Sequence, residues 1–489
     1  MKRAIFCGGP EGELREETHL FAWGMAALLA DLALAAIQLF LCFHFNGPQV
    51  SDARSYIELA QYCAENQTWY PGERDMFALY IFGNGYVNLL SAIMRLTPQM
   101  IWAFLLNAVF TQVIVLTTAD MAYQLTGRRK TAYMTVVLLC MMGGLWGEAP
   151  SARTELCFMA LANLSLCLML RRRTGALLLS GVLMGLANWV RPLLVIYLPA
   201  ALLYFVMQRV GVRRVLAYLA GIALVIVLVG AGAYQRTGKF VYQAQTMGVN
   251  MLMGANDDAV GSYVAEVYDE GKAGYVPDGS GMTFDERDAH YRSLAIEWIV
   301  GHLPRFIAIA PVKLFYFLAT DTYGGSAFFN NEIQTDNLAY LMELGRILTG
   351  RGERPLALGD AVVVFSQLTY MLVFFGYLAF VVHGLRRRCW LRLLPLHLIF
   401  ALACGVTVLT VGGARYHMPY LPIFCLCTAM LVDCRVKKGG KAVRAEVTAS
   451  SRSTHCRASW ASVCPRRAAM AESACVHAQS LPSIISGFR

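Results

Sequence analysis

Apolar residues in this chain of 489 residues come in long continuous blocks, not in alternation. The clear blocks cover residues 20–43, 100–119, 131–146, 150–170, 176–190, 192–207, 215–234, 361–382, 393–411 and 418–432. A helix needs about 20 such residues to cross hydrocarbon, and lipid admits only helices or closed barrels because every backbone amide must be satisfied within the protein. Blocks without period-two alternation favour helices over barrel strands. The pattern predicts an all-α polytopic membrane protein with about ten transmembrane helices.

Two blocks fit less well. Residues 76–94 are apolar but carry Gly83, Asn84, Gly85, Tyr86 and Asn88, which suits a helix lying at the membrane interface. Residues 306–318 are expected to be broken by Pro311 and Lys313, and are placed at the same interface. Between the spans lie a first loop over 44–96, a turn at 147–155, a long segment over 235–359 and a short turn at 412–417. Loops too long for simple turns usually carry function. The chain thus divides into an N-terminus (1–19), a transmembrane module (20–234), a loop region with an interfacial helix (235–360), C-terminal spans (361–433) and a basic tail (434–489). Polar residues over 11–19 separate Lys2-Arg3 from the first block, a spacing unlike a cleavable signal. That block is expected to remain as an anchor. The tail is rich in Ser, Ala, Arg and Cys, lacks a hydrophobic period and reads as disordered.

Composition strengthens this reading. Hydrophobic residues make up 57% of the chain and charged ones 15%, against about 25% charged in soluble domains. The net charge of +10 resides mostly in the tail, where 10 Lys/Arg and 2 Asp/Glu over 435–489 leave +8. The body is close to neutral, which argues against a nucleic-acid partner. Its basic clusters Arg128 to Lys130, Arg171 to Arg173, Arg209 to Arg214 and Arg386 to Arg388 all fall inside if the N-terminus is inside and 76–94 does not cross. The elaborated loops then face outward, as expected for a multi-pass protein of the cell membrane with an extracytoplasmic site. The 14 cysteines are scattered, many within apolar blocks, without metal-ligand spacing, and read as small buried hydrophobes.

No P-loop, dinucleotide-binding glycine pattern or HExxH is present. Candidate chemistry lies at the outer ends of the spans. Asp52 opens the stretch Ser51-Asp52-Ala53-Arg54-Ser55-Tyr56, which suggests a short surface helix. A carboxylate there suits both an N-cap and a proton acceptor beside the bilayer, and spacing leaves both open. Glu155 follows Arg153-Thr154, Arg191 stands before Pro192, and Arg415-Tyr416-His417 fill the last outer turn. An arginine at a membrane edge commonly snorkels to headgroups. A phosphate shared by Arg153, Arg191 and Arg415 also accounts for three arginines on the side where cations are disfavoured, since the guanidinium fork matches phosphate oxygens. Asn256 lies in a Gly/Asn/Asp-rich stretch that indicates tight turns. Asp257-Asp258 beside it lack EF-hand spacing, and no metal ligands are assigned.

These segments resemble the bacterial glycosyltransferase family 39 group, over most of residues 20–432. The group includes protein O-mannosyltransferases, the lipid A aminoarabinose transferase and Rgt-type transferases. Ser51-Asp52…Tyr56 looks like its first-loop aspartate motif, and Arg153-Thr154-Glu155-Leu156 like its acidic turn. Gly181…Gly185-Leu186-Ala187…Arg191-Pro192 is similar to its Gly-rich span, Gly254-Ala255-Asn256…Gly261-Ser262-Tyr263 to its soluble motif, and Arg415-Tyr416…Pro419…Pro422 to its last turn. Ala53 departs from a second acid found in many members, and Ala255 from an asparagine, leaving the acceptor and any divalent-cation requirement open.

The resemblance implies a GT-C-type helical bundle with an outer cavity. It implies transfer of a sugar from a polyprenyl-phosphate donor to an acceptor hydroxyl on a lipid, glycan or protein, usually with inversion, amid membrane lipids. Under it, Asp52 serves as base or orients the acceptor, Glu155 positions acceptor or donor sugar, and Arg191 and Arg415 hold phosphate. Tyr56 and His417 support, with Arg153, Asn256 and Tyr416 as further substrate contacts. Alternatives are a transporter or flippase of lipid-linked sugars, or an inactive scaffold of the same fold. No clear internal repeat of the kind transporters show is visible.

Overall fold

The computed structural model describes residues 10–69, 83–277, 280–336, 338–387 and 393–436. Every regular element among them is helical. In chain order these are α1 (Pro10–His44), α2 (Asp52–Glu65), α3 (Gly85–Leu96), α4 (Ile101–Thr126), α5 (Arg129–Cys140) and α6 (Gly143–Gly147). Then come α7 (Glu155–Leu170), α8 (Thr174–Val190), α9 (Leu194–Met207), α10 (Val212–Thr237) and α11 (Met247–Gly254). The last are α12 (Phe284–Gly301), α13 (Leu303–Leu318), α14 (Leu338–Leu348), α15 (Leu358–Arg387), α16 (Leu394–Leu409) and α17 (Leu421–Val436).

Each of the ten predicted apolar blocks overlaps a helix. Among the described residues, four stretches are long and apolar enough to cross a bilayer alone: Leu20–His44, Ile101–Thr126, Val212–Thr237 and Leu358–Arg386. Shorter apolar helices are Glu155–Leu170, Thr174–Val190, Leu194–Met207 and Leu394–Leu409. Only 28–39% of the best apolar window in each long helix is buried inside the protein. The remaining faces present side chains such as Phe21, Leu29, Leu116 and Leu228 outward. Helices apolar all round with bare outer faces are suited to hydrocarbon, not water, and this is a helical, polytopic membrane protein.

The bundle is held by small residues and a few buried polar bonds, the means open to helices that gain little from apolar burial in lipid. A Cβ added at Gly181 would lie 2.0 Å from the Tyr218 carbonyl oxygen, and one at Gly221 would lie 2.3 Å from that of Leu178, so α8 and α10 meet backbone to backbone. Ser165 of α7 and Ser180 of α8 each donate to the other's carbonyl at 2.8 Å. Gln38 of α1 donates to Thr111 and to the Leu145 carbonyl, both at 2.9 Å.

Several boundaries differ from expectation. The block 131–146 is split at Met141–Met142, and just beyond the break Gly143 and Gly144 press so closely on Ser366 and Asp321 that a side chain would collide with them. The block 150–170 becomes helical only at Glu155, its first residues forming a buried turn. The expected break at Pro311 is absent: α13 runs through it, with Lys313 fully buried and donating to the Val408 carbonyl at 2.8 Å. The break lies earlier, at His302, where α12 and α13 meet at 108°. The N-cap reading of Asp52 also gives way. Ser51 is the N-cap residue, at φ 54, and Asp52 is the first helical residue. Ser51's left-handed backbone, unusual for a non-glycine residue, leaves the Asp52 side chain free for a distant partner. α12 starts with a capping box between Thr283 and Glu286. Of the interfacial block 76–94, only the part from Gly83 is described, where α3 begins at Gly85. The predicted tail lies outside the described residues after Val436.

Candidate active site

The turn between α6 and α7 is fixed from two directions. Asn107 of α4 is buried and its amide donates to the carbonyls of Ala149 at 3.1 Å and Ser151 at 2.7 Å. Gln49, in the first loop, donates to the Pro150 carbonyl at 2.8 Å and accepts from the Ala152 amide at 3.1 Å. Arg153 and Glu155 are thereby placed on rigid backbone. Replacing Asn107 by Ala strips two buried carbonyls of their donor, so a loss of about 1–3 kcal/mol is expected. Thermal unfolding in detergent checks this as a lowered Tm.

Glu155, at the head of α7, gathers the site. Its Oε1 accepts from Arg191 Nη1 at 2.6 Å and forms an ion pair with Arg415, whose Nε is 3.0 Å away. Arg415 turns its Nη2 to Asp52 Oδ2. Arg153 Nη1 donates to Glu148 Oε1 at 2.9 Å and lies over the Tyr323 ring, 4.3 Å from its centroid. The Tyr416 ring centre is 5.8 Å from the guanidinium carbon of both Arg191 and Arg415. Tyr56 packs edge-on against Tyr86 at 5.3 Å. Asp52, Arg191 and Arg415, separated by up to 363 positions in the chain, thus share one connected network.

Exposure differs within the network. The Glu155 and Glu148 side chains are 2% and 1% exposed, whereas that of Asp52 is 39% exposed. Asp52 is therefore the network's carboxylate within reach of an arriving molecule. A guanidinium carries five N–H donors, of which the acids engage one nitrogen on Arg191 and two on Arg415. Both retain donors for a further anion. Withdrawing so many charges from water is costly and stabilises a fold poorly, so such a cluster more often marks function than packing. Burial pushes the Glu148 carboxyl up from its ordinary range, with Arg153 opposing.

Two helices locate the cluster along the bundle. Asn107, which holds the turn, and Thr126 are separated by 19 residues of α4, or about 28 Å at 1.5 Å per residue. Arg128, paired with Asp433 at 2.6 Å, follows at that far end. Likewise Glu155 opens α7, and Arg171, 3.2 Å from Asp120, follows its close. The acid–arginine cluster and these basic turns therefore lie at opposite ends of the bundle.

Not every candidate joins the cluster. Asn256 is buried and satisfied within its own turn, donating to the Leu252 and Met253 carbonyls and accepting from the Asp258 amide. His417 is fully buried: its Nδ1 is 3.0 Å from the Phe317 carbonyl oxygen, and its Nε2 is 3.4 Å from Asp321 Oδ1. It supports the Arg415 turn from behind. Asp257 accepts from Trp298, and Asp258 pairs with Lys272. Among the described residues, no three His, Cys, Asp or Glu side chains are grouped to hold a metal.

Three residues at the site, Glu148, Tyr323 and Asp336, escaped sequence reasoning. Glu148 carried a signal, an acid in the same turn as Arg153. Tyr323 had none, and it comes from a 3-10 segment, Tyr323–Phe329, far along the chain. Asp336 is held up by burial, against the pull of Arg153 and Arg415. The Tyr263 hydroxyl, from the soluble motif, is raised by partial burial and by the nearby charge of Asp52.

No protein-family profile and no curated protein matches the chain. Two solved structures align with most of it. One is the archaeal oligosaccharyltransferase AglB from Archaeoglobus fulgidus in complex with an inhibitory peptide and a dolichol-phosphate. It is 13% identical, with 89% of this chain and 53% of that one covered and a TM-score of 0.41. The other is the Archaeoglobus fulgidus oligosaccharyltransferase tethered to an acceptor peptide containing the NVT sequon. It is 13% identical, with 84% of this chain and 50% of that one covered and a TM-score of 0.44. The chain spans about half the length of these solved chains, and neither likeness gives it a family or an activity.

Proposed function

We propose that this protein is a membrane glycosyltransferase that moves a sugar from a polyprenyl-phosphate donor to an acceptor hydroxyl at the extracytoplasmic face, with inversion. The observation that carries the reading is the chain of contacts Asp52–Arg415–Glu155–Arg191: one accessible carboxylate beside two guanidiniums with donors to spare. The outward placement is supported by the distance between this cluster and the basic turns, since Lys and Arg concentrate on the cytoplasmic side.

The donor phosphate competes with Asp52 for Arg415 and also engages Arg191. Asp52, released from its ion pair, then accepts the proton of the acceptor hydroxyl. The acceptor oxygen bonds to the anomeric carbon as the bond from that carbon to the phosphate oxygen breaks. The bonding pair leaves with the polyprenyl phosphate, whose added charge Arg191 and Arg415 stabilise. Glu155 touches no reacting atom. It is a positioning residue that keeps two like charges together.

Purified protein in vesicles, given radiolabelled polyprenyl-phosphate sugars and a cell-envelope extract, tests this. The expected result is label on a new acceptor. Label that only crosses the vesicle membrane identifies a flippase and overturns the proposal.

A further inference from the structure

Lys313 places a cation inside the protein, its ammonium 4.9 Å from the Phe306 ring centre. Its side chain is fully buried, and among the described residues it makes no ion pair with an acid. An apolar side chain of equal length would be cheaper to bury, since a buried charge is costly unless well bonded. The ammonium donates to the Val408 carbonyl at 2.8 Å. That carbonyl stands in the last turn of α16, which ends at Leu409. Its ordinary helical partner four residues on, the Gly412 amide, donates instead to Gly261 at 3.0 Å. Lys313 therefore supplies the donor that a helix C-terminus lacks, and its positive charge suits that end of the helix dipole.

The surrounding backbone leaves little slack. A Cβ at Gly412 would lie 2.1 Å from the Lys313 carbonyl oxygen, and one at Gly254 would lie 1.8 Å from that of Thr410 and 2.9 Å from Lys313 Nζ. Beyond Arg415, His417 Nδ1 is 3.0 Å from the Phe317 carbonyl oxygen, one helical turn along α13 from Lys313. α13 thus grips the segment on both sides of Arg415: at Val408, seven residues before it, and at His417, two residues after.

We infer that Lys313 is a positioning residue that sets Arg415 for the donor phosphate by capping α16. This rests on the reading of Arg415 as a phosphate ligand. Lys313 touches no substrate and acts only through the turn.

A double-mutant cycle tests it, with affinity for undecaprenyl phosphate in detergent as the readout and uncharged polyprenol as the control. Lys313→Met is expected to weaken phosphate-lipid binding about tenfold, the worth of one hydrogen bond to a charged group. In an Arg415→Ala background the same change should cost less than about twofold, because coupled residues are not additive. A merely structural role would leave the two losses additive. Equal losses in both backgrounds, or none in either, overturn the inference. If Lys313→Met is not recovered folded, Lys313→Arg, which keeps a donor, goes through the same cycle. Unchanged affinity in Arg415→Ala alone removes the phosphate site itself, a distinct failure that takes the positioning role with it.

Discussion

Asp52→Asn is expected to lower sugar transfer by about a hundred- to ten-thousand-fold, the range for loss of a general base. The substitution is nearly isosteric. An asparagine amide oxygen still accepts from Arg415, so the tie between α2 and the last outer turn survives. What disappears is a group able to hold the acceptor proton. The loss should therefore fall on kcat, with KM for the lipid donor within about twofold, because only the transition state uses the proton acceptor. Initial rates with radiolabelled donor, alongside a melting curve that matches wild type, measure both quantities. Transfer at the wild-type rate would remove Asp52 from the mechanism and leave the acid–arginine cluster as a structural clamp.

Arg415→Ala has the second largest expected effect, a fall in kcat/KM of about a hundred- to a thousand-fold. Arg415 meets two acids, Glu155 at 3.0 Å and Asp52, and is the link that brings α2 to α7. Without it the donor phosphate loses a ligand as its charge builds, so kcat falls and KM rises together. Arg415→Lys should lie between Ala and wild type, since an ammonium restores charge but not the planar fork. Glu155 keeps Arg191 at 2.6 Å in either variant, so it is not left as a lone buried charge. Binding of polyprenyl phosphate against uncharged polyprenol separates the phosphate contact from the lipid contact. Equal loss for both lipids would show that Arg415 shapes the groove instead of binding phosphate.

The two variants probe opposite halves of one idea. Asp52 and Arg415 neutralise each other across a distance of 363 positions in the chain. Acid and cation that pair in the free protein and separate around a substrate give a site that is stable when empty and charged when occupied. Asp52→Asn removes the proton acceptor and keeps the pairing geometry. Arg415→Ala removes the pairing and keeps the proton acceptor.

How much of this was legible in the chain depends on whether the governing physics is local. The apolar blocks were legible because side chains that enter hydrocarbon must be apolar along the whole segment; each overlaps a helix, and four of the described helices are long enough to cross alone. Asp52, Glu155, Arg191 and Arg415 were legible as exceptions, polar residues at the ends of apolar runs. The interrupted block at Met141–Met142 was not, and neither was the close approach of Gly143 and Gly144 to Ser366 and Asp321 just beyond it. Nor was the continuity of α13 through Pro311. A proline weakens a helix locally, and contacts supplied by other helices override that tendency.

By itself, then, the sequence determined the solvent, the element type and the residue types able to carry charge at the ends of the spans. These follow from transfer of side chains into lipid, residue by residue. Only the tertiary structure decided which charges meet. Glu155 gathers Arg191 and Arg415, Arg153 turns to Glu148 and Tyr323, and His417 and Asn256 are withdrawn into the supporting framework. Ion pairs between distant segments depend on where helices end in space, and helix ends are set by packing that no local window of sequence contains.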